Sequence, residues 1–144
     1  MPRIKIDLPK QISFSCIIPI RISDINYGGH VGNDAILSIL HEARLQFLNS
    51  FGWTEMNFGG VSLIMSDVGI EFKGEAFYGE IITALVVAGD PSRVGFDLYY
   101  KLVKKTSEKE VVVALAKTGM ICFDYKSKKV ASLPDTVKPK LFFP

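Results

Sequence analysis

The chain has 144 residues, a length typical of one domain with a sizeable core, and we expect a single domain over residues 1–144. Its 17 Lys and Arg nearly balance its 15 Asp and Glu, so the net charge of +2 is too small to indicate a nucleic-acid-binding protein. No stretch stays apolar for the roughly 18 residues of a membrane span, and the first residues lack a signal-peptide core, which predicts a cytoplasmic protein.

The two cysteines, Cys16 and Cys122, lie in separate apolar runs typical of strands. Neither has a partner at the spacing of a zinc or redox motif. We therefore predict two buried thiols in a reducing compartment, and no bound metal or cofactor.

The first predicted element is a strand over residues 11–20, where apolar side chains recur at every second position. A polar loop over residues 21–33 then leads into a predicted helix. Apolar residues recur there every three or four positions and form one stripe, which consists of Ile36, Ile39, Leu40, Ala43, Phe47 and Phe51. Asn33 or Asp34 can cap the start of this helix, and Gly52 can supply the left-handed residue that ends it.

The remaining residues predict further strands with turns between them, over 61–73, 81–88, 92–104, 110–124 and 129–133. One strand, one long helix and several consecutive strands are typical of an α+β domain whose antiparallel sheet wraps around a single helix. One helix covers only part of such a sheet, and the chain is 48% apolar, so we expect at least a dimer. Asp67 is unusual for a buried strand face, and we expect it to cap another group or to face a partner's cleft.

The loop before the helix has a composition that suits acyl chemistry. Gly28, Gly29 and Gly32 would let the backbone approach a ligand closely, and the helix start presents unpaired N–H groups. The loop also contains hydrogen-bonding and proton-transfer groups, namely Asp24, Asn26 and His30. An anion or a polarised carbonyl is the ligand that such a place favours.

Residues 24–44 resemble the hotdog-fold acyl-CoA thioesterases of the 4-hydroxybenzoyl-CoA thioesterase type. The pattern of that family is Asp-x-Asp-x-x-Gly-His-Val-Asn-Asn, followed by Glu-Ala-Arg on a helix. It is matched here by Asp24, Gly29-His30-Val31, Asn33 and Glu42-Ala43-Arg44. The resemblance implies a central helix in a curved antiparallel sheet, and two protomers joined edge to edge in a homodimer or a dimer-of-dimers tetramer. It also implies that an acyl-CoA or acyl-carrier thioester lies between the protomers.

The chain departs from the pattern where the second acid is replaced by Asn26 and the first Asn by Gly32. An amide cannot act as a general base near neutral pH, so Asn26 can only orient water or substrate. His30 could be the base, since imidazole titrates near neutral pH, or it could hold the loop. Asp24 could orient the imidazole or activate water, or close the strand end in a turn. Glu42 could reach the thioester from the helix, or pair with a strand lysine.

Binding roles also follow from the resemblance. Backbone N–H groups near Gly32 and Asn33 would polarise the thioester carbonyl, or would serve only to start the helix. Ser92 and Arg93 could bind pantetheine or a nucleotide phosphate, although such an Arg is more often solvated. The expected substrate-binding residues are Gly28, Gly29, Ser92 and Arg93.

The sequence therefore predicts a thioester hydrolase that cleaves acyl-CoA to a free acid and CoA. The alternative hypothesis is a non-catalytic acyl-CoA-binding or sensing hotdog module, which kept the pocket and lost the acid at position 26. A hotdog dehydratase is a weaker third hypothesis, because the Asp and His spacing of that branch is absent from the chain.

Overall fold

The computed structural model describes residues 3–12 and 14–142. The long helix, α1, spans Asn33–Asn49, and its buried side chains recur every three or four residues, as predicted. Gly52 adopts a φ of 83° shortly after the helix, which is the left-handed conformation expected there. The predicted side-chain cap is wrong, because the N-cap residue is Gly32, so that Asn33 and Asp34 are already the first residues of the helix.

Within the described residues, one antiparallel sheet contains the strands β1 (Phe14–Pro19), β2 (Ser62–Phe72), β3 (Ile81–Gly89), β4 (Gly95–Lys105), β5 (Glu110–Asp124) and β6 (Lys129–Val130). Their order is β1-β3-β4-β5-β2, with β6 beside β5, and α1 packs against β1 and β3. This arrangement confirms the predicted α+β architecture. A short helix, α2 (Lys138–Phe142), was not expected from the sequence. Neither helix of the described part is long and apolar enough to cross a membrane.

The core lies between α1 and the face of the sheet that meets it, which we call the inner face. Leu40 of α1 and Leu98 of β4 are completely buried there. Along β1 the predicted alternation is present, because Ile18 is buried whereas Ile17 is 64% exposed. Of the two thiols predicted to be buried, Cys122 is buried and Cys16 is only partly covered.

Asp67 is not on the inner face, which corrects the expectation that it occupies a buried position. A β-bulge between Met65 and Asp67 shifts the register of β2, so that Asp67 lies opposite Gly119. Its side chain is 63% exposed and forms an ion pair of 3.3 Å with Lys117 of β5. The bulge moves this residue to the solvent side of the sheet, which removes the cost of burying a carboxylate.

The inner face is not fully covered where β2 forms the edge of the sheet. Met65, Val68 and Phe72 pair with inward-facing positions of β5, yet they are 39%, 39% and 51% exposed. Exposed apolar side chains at a sheet edge favour contact with another chain. The expected homodimer or tetramer stays a prediction, and this edge is where we expect the second copy to bind.

Gly95, the first residue of β4, touches the backbone of β5. A methyl group added at Gly95 would overlap the carbonyl oxygen of Met120. The Gly95→Ala variant should therefore lose about 1–3 kcal/mol of unfolding free energy in urea denaturation. Gly89→Ala is the matched control, because its methyl group would meet Tyr99 only at 3.4 Å. Equal losses in the two variants would contradict this explanation.

Candidate active site

The loop between β1 and α1 folds back on itself as a narrow hairpin. Asn26 N donates a hydrogen bond to His30 O at 2.9 Å, and Gly29 N donates to Asn26 O at 3.1 Å. The turn requires a φ of 82° at Gly29, which glycine adopts without strain. Tyr27 lies at the fully exposed tip. The hairpin thus holds Asn26 and His30 beside the start of α1.

Gly32 joins this loop to the helix and lies close to the side chains of Asp34 and Asn26. A methyl group at Gly32 would lie 2.6 Å from Asp34 Oδ1 and 3.4 Å from Asn26 Cβ. The first intrahelical hydrogen bond runs from Ile36 N to Gly32 O at 3.2 Å, so the amides of residues 33–35 precede the helical ladder. The N-cap glycine has no side chain to accept from them. These amides can receive a carbonyl or a developing oxyanion.

His30 lines a cleft of about 300 Å³ at this helix start, which we call the His30 cleft. Its other lining residues are Val31, Asn33, Ile36, Phe72, Lys73, Gly74, Glu75, Ala76 and Val113. The ring Nδ1 of His30 lies 3.0 Å from the carbonyl oxygen of Val31. Because a carbonyl only accepts, Nδ1 carries the hydrogen in this contact, and Nε2 is the basic nitrogen.

Asn26 and His30 both lie next to Gly28. Its Oδ1 accepts a hydrogen bond from Gly28 N at 2.9 Å, so the Nδ2 hydrogens can point to a ligand. A methyl group at Gly28 would lie 3.2 Å from Asn26 Oδ1 and 3.4 Å from His30 Nε2. The amide and the imidazole therefore lie on the same side of the loop, and Gly28 leaves the space between them open.

Asp24 is separated from this pair and has a structural contact. Its buried carboxylate accepts a hydrogen bond from Arg21 N at 2.8 Å, and its Oδ1 lies 3.5 Å from the Arg21 guanidinium. It closes a 3₁₀ turn over Ile22–Asp24, which corresponds to the turn-forming alternative. It lines a different depression, of about 420 Å³, between β1 and α1, which we call the Glu42 groove.

Glu42 lies in the Glu42 groove rather than in the His30 cleft. Nine residues separate it from Asn33, which corresponds to about 13 Å along a helix. Its carboxylate accepts a hydrogen bond from Gln46 Nε2 at 2.9 Å, not from a strand lysine. Burial, together with the negative charge of Glu42, raises the pKa of Cys16 to about 11, so that thiol is not a nucleophile near neutral pH.

Ser92 and Arg93 lie at the other end of the sheet. They belong to the turn between β3 and β4, where Ser92 Oγ donates to Gly95 O at 3.3 Å and Arg93 O accepts from Leu133 N at 2.8 Å. The helix start is near the opposite end of β3, because Pro19 pairs with Ile81. Within one chain, these two residues are therefore not brought to the His30 cleft.

Comparison with protein families decides where the chain belongs. The profile of the thioesterase-like superfamily matches residues 20–141, which includes the loop, α1 and the sheet. The chain belongs to the thioesterase-like superfamily. No curated protein matches it significantly.

Solved structures of thioesterases share the fold of this superfamily member. A thioesterase superfamily protein from Jannaschia sp. CCS1 has a TM-score of 0.82 at 15% identity, covering 94% of this chain and 84% of its own. A 1,4-dihydroxy-2-naphthoyl-CoA thioesterase from Synechocystis has a TM-score of 0.70 at 21% identity, with coverages of 89% and 94%. A 4-hydroxybenzoyl-CoA thioesterase mutant complexed with 4-hydroxybenzoyl-CoA has a TM-score of 0.79 at 14% identity, with coverages of 89% and 97%. These likenesses confirm the predicted hotdog fold.

This thioesterase-like protein also contains a polar network that was not anticipated from its sequence. Arg44 Nε donates to Glu55 Oε2 at 2.9 Å, and Arg44 Nη1 donates to Tyr100 Oη at 3.3 Å. His41 Nε2 lies 2.7 Å from the other oxygen of Glu55, and Tyr100 Oη lies 2.8 Å from Thr118 Oγ1. The network ties α1 to the loop after it and to the centre of the sheet. The Glu-Ala-Arg motif drew attention to Arg44, but nothing in the sequence indicated that Glu55 and Tyr100 are the partners of this residue.

The residues that form the walls of the His30 cleft were also not predicted from the sequence. Phe72 and Val113 come from β2 and β5, and the 73–76 connection reaches the loop because Val31 N donates to Ala76 O at 2.8 Å. Nothing in their local pattern distinguishes them from other strand residues. Among residues 3–12 and 14–142, no His, Cys, Asp and Glu side chains cluster in a way that could hold a metal ion.

Proposed function

We propose that this protein hydrolyses acyl-CoA thioesters to a free acid and CoA. The observation that carries the proposal is the start of α1, where no side chain caps the first amides and where Asn33 and His30 line the same cleft. Membership in the thioesterase-like superfamily supports the same reaction class. A thioester carbonyl is the electrophile that these groups suit, because its oxygen becomes negative during attack by water.

In the proposed complex, the thioester carbonyl oxygen accepts hydrogen bonds from the amides of residues 33–35. The acyl group lies against Ile36, Phe72 and Val113, which provide the apolar wall of the His30 cleft. The partial positive charge at the helix start then favours the tetrahedral intermediate over the ground state. The binding geometry and the electrostatics thus serve the same step.

His30 Nε2 is the proposed general base. It takes a proton from water as the water oxygen bonds to the carbonyl carbon, and the carbonyl electron pair moves to oxygen. When the intermediate collapses, the C–S bond breaks, and the imidazolium returns the proton to the departing sulfur of CoA. Asn26 Nδ2 donates a hydrogen bond to the substrate or the water, since Asn26 Oδ1 already accepts from Gly28 N.

The two carboxylates have lesser roles in this proposal. Asp24 accepts from Arg21 and is buried, so it maintains the loop. Glu42 lies in the Glu42 groove and not in the cleft that holds the helix amides. Of the three candidate bases predicted from the sequence, His30 is the one that lines the cleft at the start of α1.

We propose acyl-CoA esters in general as the substrate class, without assigning a particular acyl group. Two structural neighbours are described as acting on, or bound to, CoA esters of aromatic acids. The substrate panel for the activity assay should therefore contain aryl-CoA esters, alkyl-CoA esters of several chain lengths and the matching acyl-carrier thioesters. Ser92 and Arg93 stay candidates for contact with the CoA phosphates, and Arg93→Ala measured against the panel tests them through KM.

The deciding experiment measures thiol release from this panel with a chromogenic thiol reagent. Release above the uncatalysed rate, dependent on enzyme concentration, is expected for at least one ester. Calorimetric binding of the same esters without any release would contradict hydrolysis and would support the acyl-CoA-binding module instead.

We further propose that a second copy binds along the β2 edge and completes the cleft. Phe72 supports this, because it lines the His30 cleft and is also exposed beside that edge. Sedimentation equilibrium should give a dimer or tetramer, and Val68→Lys should shift it towards the monomer. A monomer at micromolar concentration would contradict the proposed assembly.

The Asn26→Asp variant tests whether the parent protein is a thioester hydrolase or only an acyl-CoA-binding module. Its carboxylate can still accept from Gly28 N, so the loop should keep its shape, whereas the Nδ2 donor is lost. We expect kcat on the best ester to fall at least about tenfold, because a hydrogen-bond donor near the oxyanion disappears. A large gain of activity from an inert parent would instead favour the binding module.

A further inference from the structure

A separate cavity of about 430 Å³ lies at the far end of α1, and we call it the distal cavity. It is lined by the N-terminal segment at Pro9 and Gln11, by the ends of α1 and β3, and by α2. Phe47 in its wall follows Asn33 by fourteen residues, which corresponds to about 21 Å along a helix. The distal cavity is therefore distinct from the His30 cleft.

The walls of the distal cavity are mostly apolar and aromatic. The ring of Phe47 meets Phe14 edge to face at a centroid distance of 5.4 Å and Phe51 at 5.2 Å. The cavity volume falls within the roughly 300–1,000 Å³ of small-molecule sites. Water gains few hydrogen bonds against such walls, so burying an apolar ligand there is favourable.

Polar groups are confined to two of the lining residues. Among the lining residues within 3–12 and 14–142, Lys140 of α2 is the only charged one and Gln11 is the only one with a side-chain amide. The Lys140 ammonium lies 5.9 Å from the centroid of the Trp53 ring. This cation–π contact holds the ammonium beside the ring that stacks on Phe51 of the cavity wall. One ammonium and one amide can bind a singly charged head group by two hydrogen bonds, but they do not match the several phosphates of CoA.

We propose that the distal cavity binds an amphipathic monocarboxylate of the fatty-acid type. Its tail packs against Phe14, Phe47 and Phe51, and its carboxylate accepts hydrogen bonds from Lys140 Nζ and Gln11 Nε2. The proposal does not depend on the catalytic function, because none of these residues lines the His30 cleft.

The test is calorimetric titration of the full chain with decanoate below its micellar concentration, with 1-decanol as the uncharged analogue. Trp53 is the only tryptophan of the chain, and it stacks on Phe51 at 4.7 Å, so its fluorescence should follow occupancy. We expect saturable binding of decanoate. Lys140→Met should weaken it by about ten- to a hundredfold and leave decanol binding nearly unchanged.

Two further variants locate the site. Ala88→Phe should abolish binding by filling the distal cavity, in which Ala88 is a lining residue. Lys138→Met, on the same short helix but outside the lining, should bind decanoate like the parent. Absence of saturable binding by the parent, or unchanged decanoate affinity in Lys140→Met, would overturn the proposal, whether or not Ala88→Phe folds. Unchanged affinity in a folded Ala88→Phe would place decanoate outside the distal cavity and would overturn the proposal as well.

Discussion

The His30→Ala variant is expected to keep its fold and to lose about 10²–10⁴-fold in kcat/KM on the best acyl-CoA. The imidazole is only partly buried, and its one hydrogen bond in the described structure is to the neighbouring Val31 carbonyl, so its removal should cost little stability. The loss should fall mainly on kcat, because Nε2 acts on the proton of the attacking water and not on substrate binding. Thiol-release kinetics and thermal unfolding measure the two quantities.

Glu42→Gln is the matched control for this experiment. Glu42 is the other candidate base, but it lies in the Glu42 groove, where it accepts a hydrogen bond from Gln46. We expect its kcat/KM to stay within about threefold of the parent, since a general base contributes far more than that. A large loss in Glu42→Gln with an unaffected His30→Ala would assign the base to the helix carboxylate instead.

The Arg44→Ala variant is expected to lose about 3 kcal/mol of unfolding free energy. Arg44 is only 5% exposed, and its removal breaks the ion pair with Glu55 and leaves Tyr100 with Thr118 as its partner. Much of the loss arises because the Glu55 carboxylate stays partly buried with a weaker set of partners. Urea denaturation at pH 7 measures the difference.

Lys138→Ala provides the comparison, because it breaks an ion pair of similar length on the surface. Lys138 lies 2.9 Å from Asp135, whose side chain is 94% exposed, so a loss below about 0.5 kcal/mol is expected. Replacing Arg44 by Met together with Glu55 by Leu should recover part of the loss of Arg44→Ala, since no charge is then left unpaired. Equal losses in Arg44→Ala and Lys138→Ala would contradict the importance of the buried network.

The stability difference between the parent and Arg44→Ala should shrink on acidification. Burial raises the pKa of Glu55, but hydrogen bonds from His41 and Arg44 outweigh it, and the pKa is lowered from 4.5. A lowered pKa in the folded state means that this stabilisation is fully present above pH 4.5 and is lost as the pH falls through the folded value. Denaturation at pH 7 and below pH 4.5 should reveal the change.

Local pattern alone was enough to predict most of the secondary structure. The apolar stripe of α1 and the alternation along β1 follow from the geometry of a helix and a strand facing one core. The strand over residues 110–124 coincides with β5, because long β-branched and apolar runs have no competing helical period. The Gly-His-Val and Glu-Ala-Arg motifs likewise indicated the resemblance to thioesterases from the sequence alone.

The tertiary structure decided how the candidate site residues are grouped. Asn26 and His30 lie together at the start of α1, whereas Asp24 and Glu42 line the other depression. Sequence spacing cannot separate them, because the side of a hairpin on which a side chain lies depends on backbone hydrogen bonds such as Gly32 N to Asp24 O.

Contacts between residues that are far apart in the sequence could not be predicted from local patterns either. The network of Arg44, Glu55 and Tyr100 joins positions up to 56 residues apart, and the bulge that exposes Asp67 depends on its pairing with β5. The residue types and their periodicity therefore determined which elements form and which chemistry they contain. The tertiary contacts among the helix, the loop before it and the paired strands determined which of those groups meet, because long-range contacts leave no periodic signal along the chain.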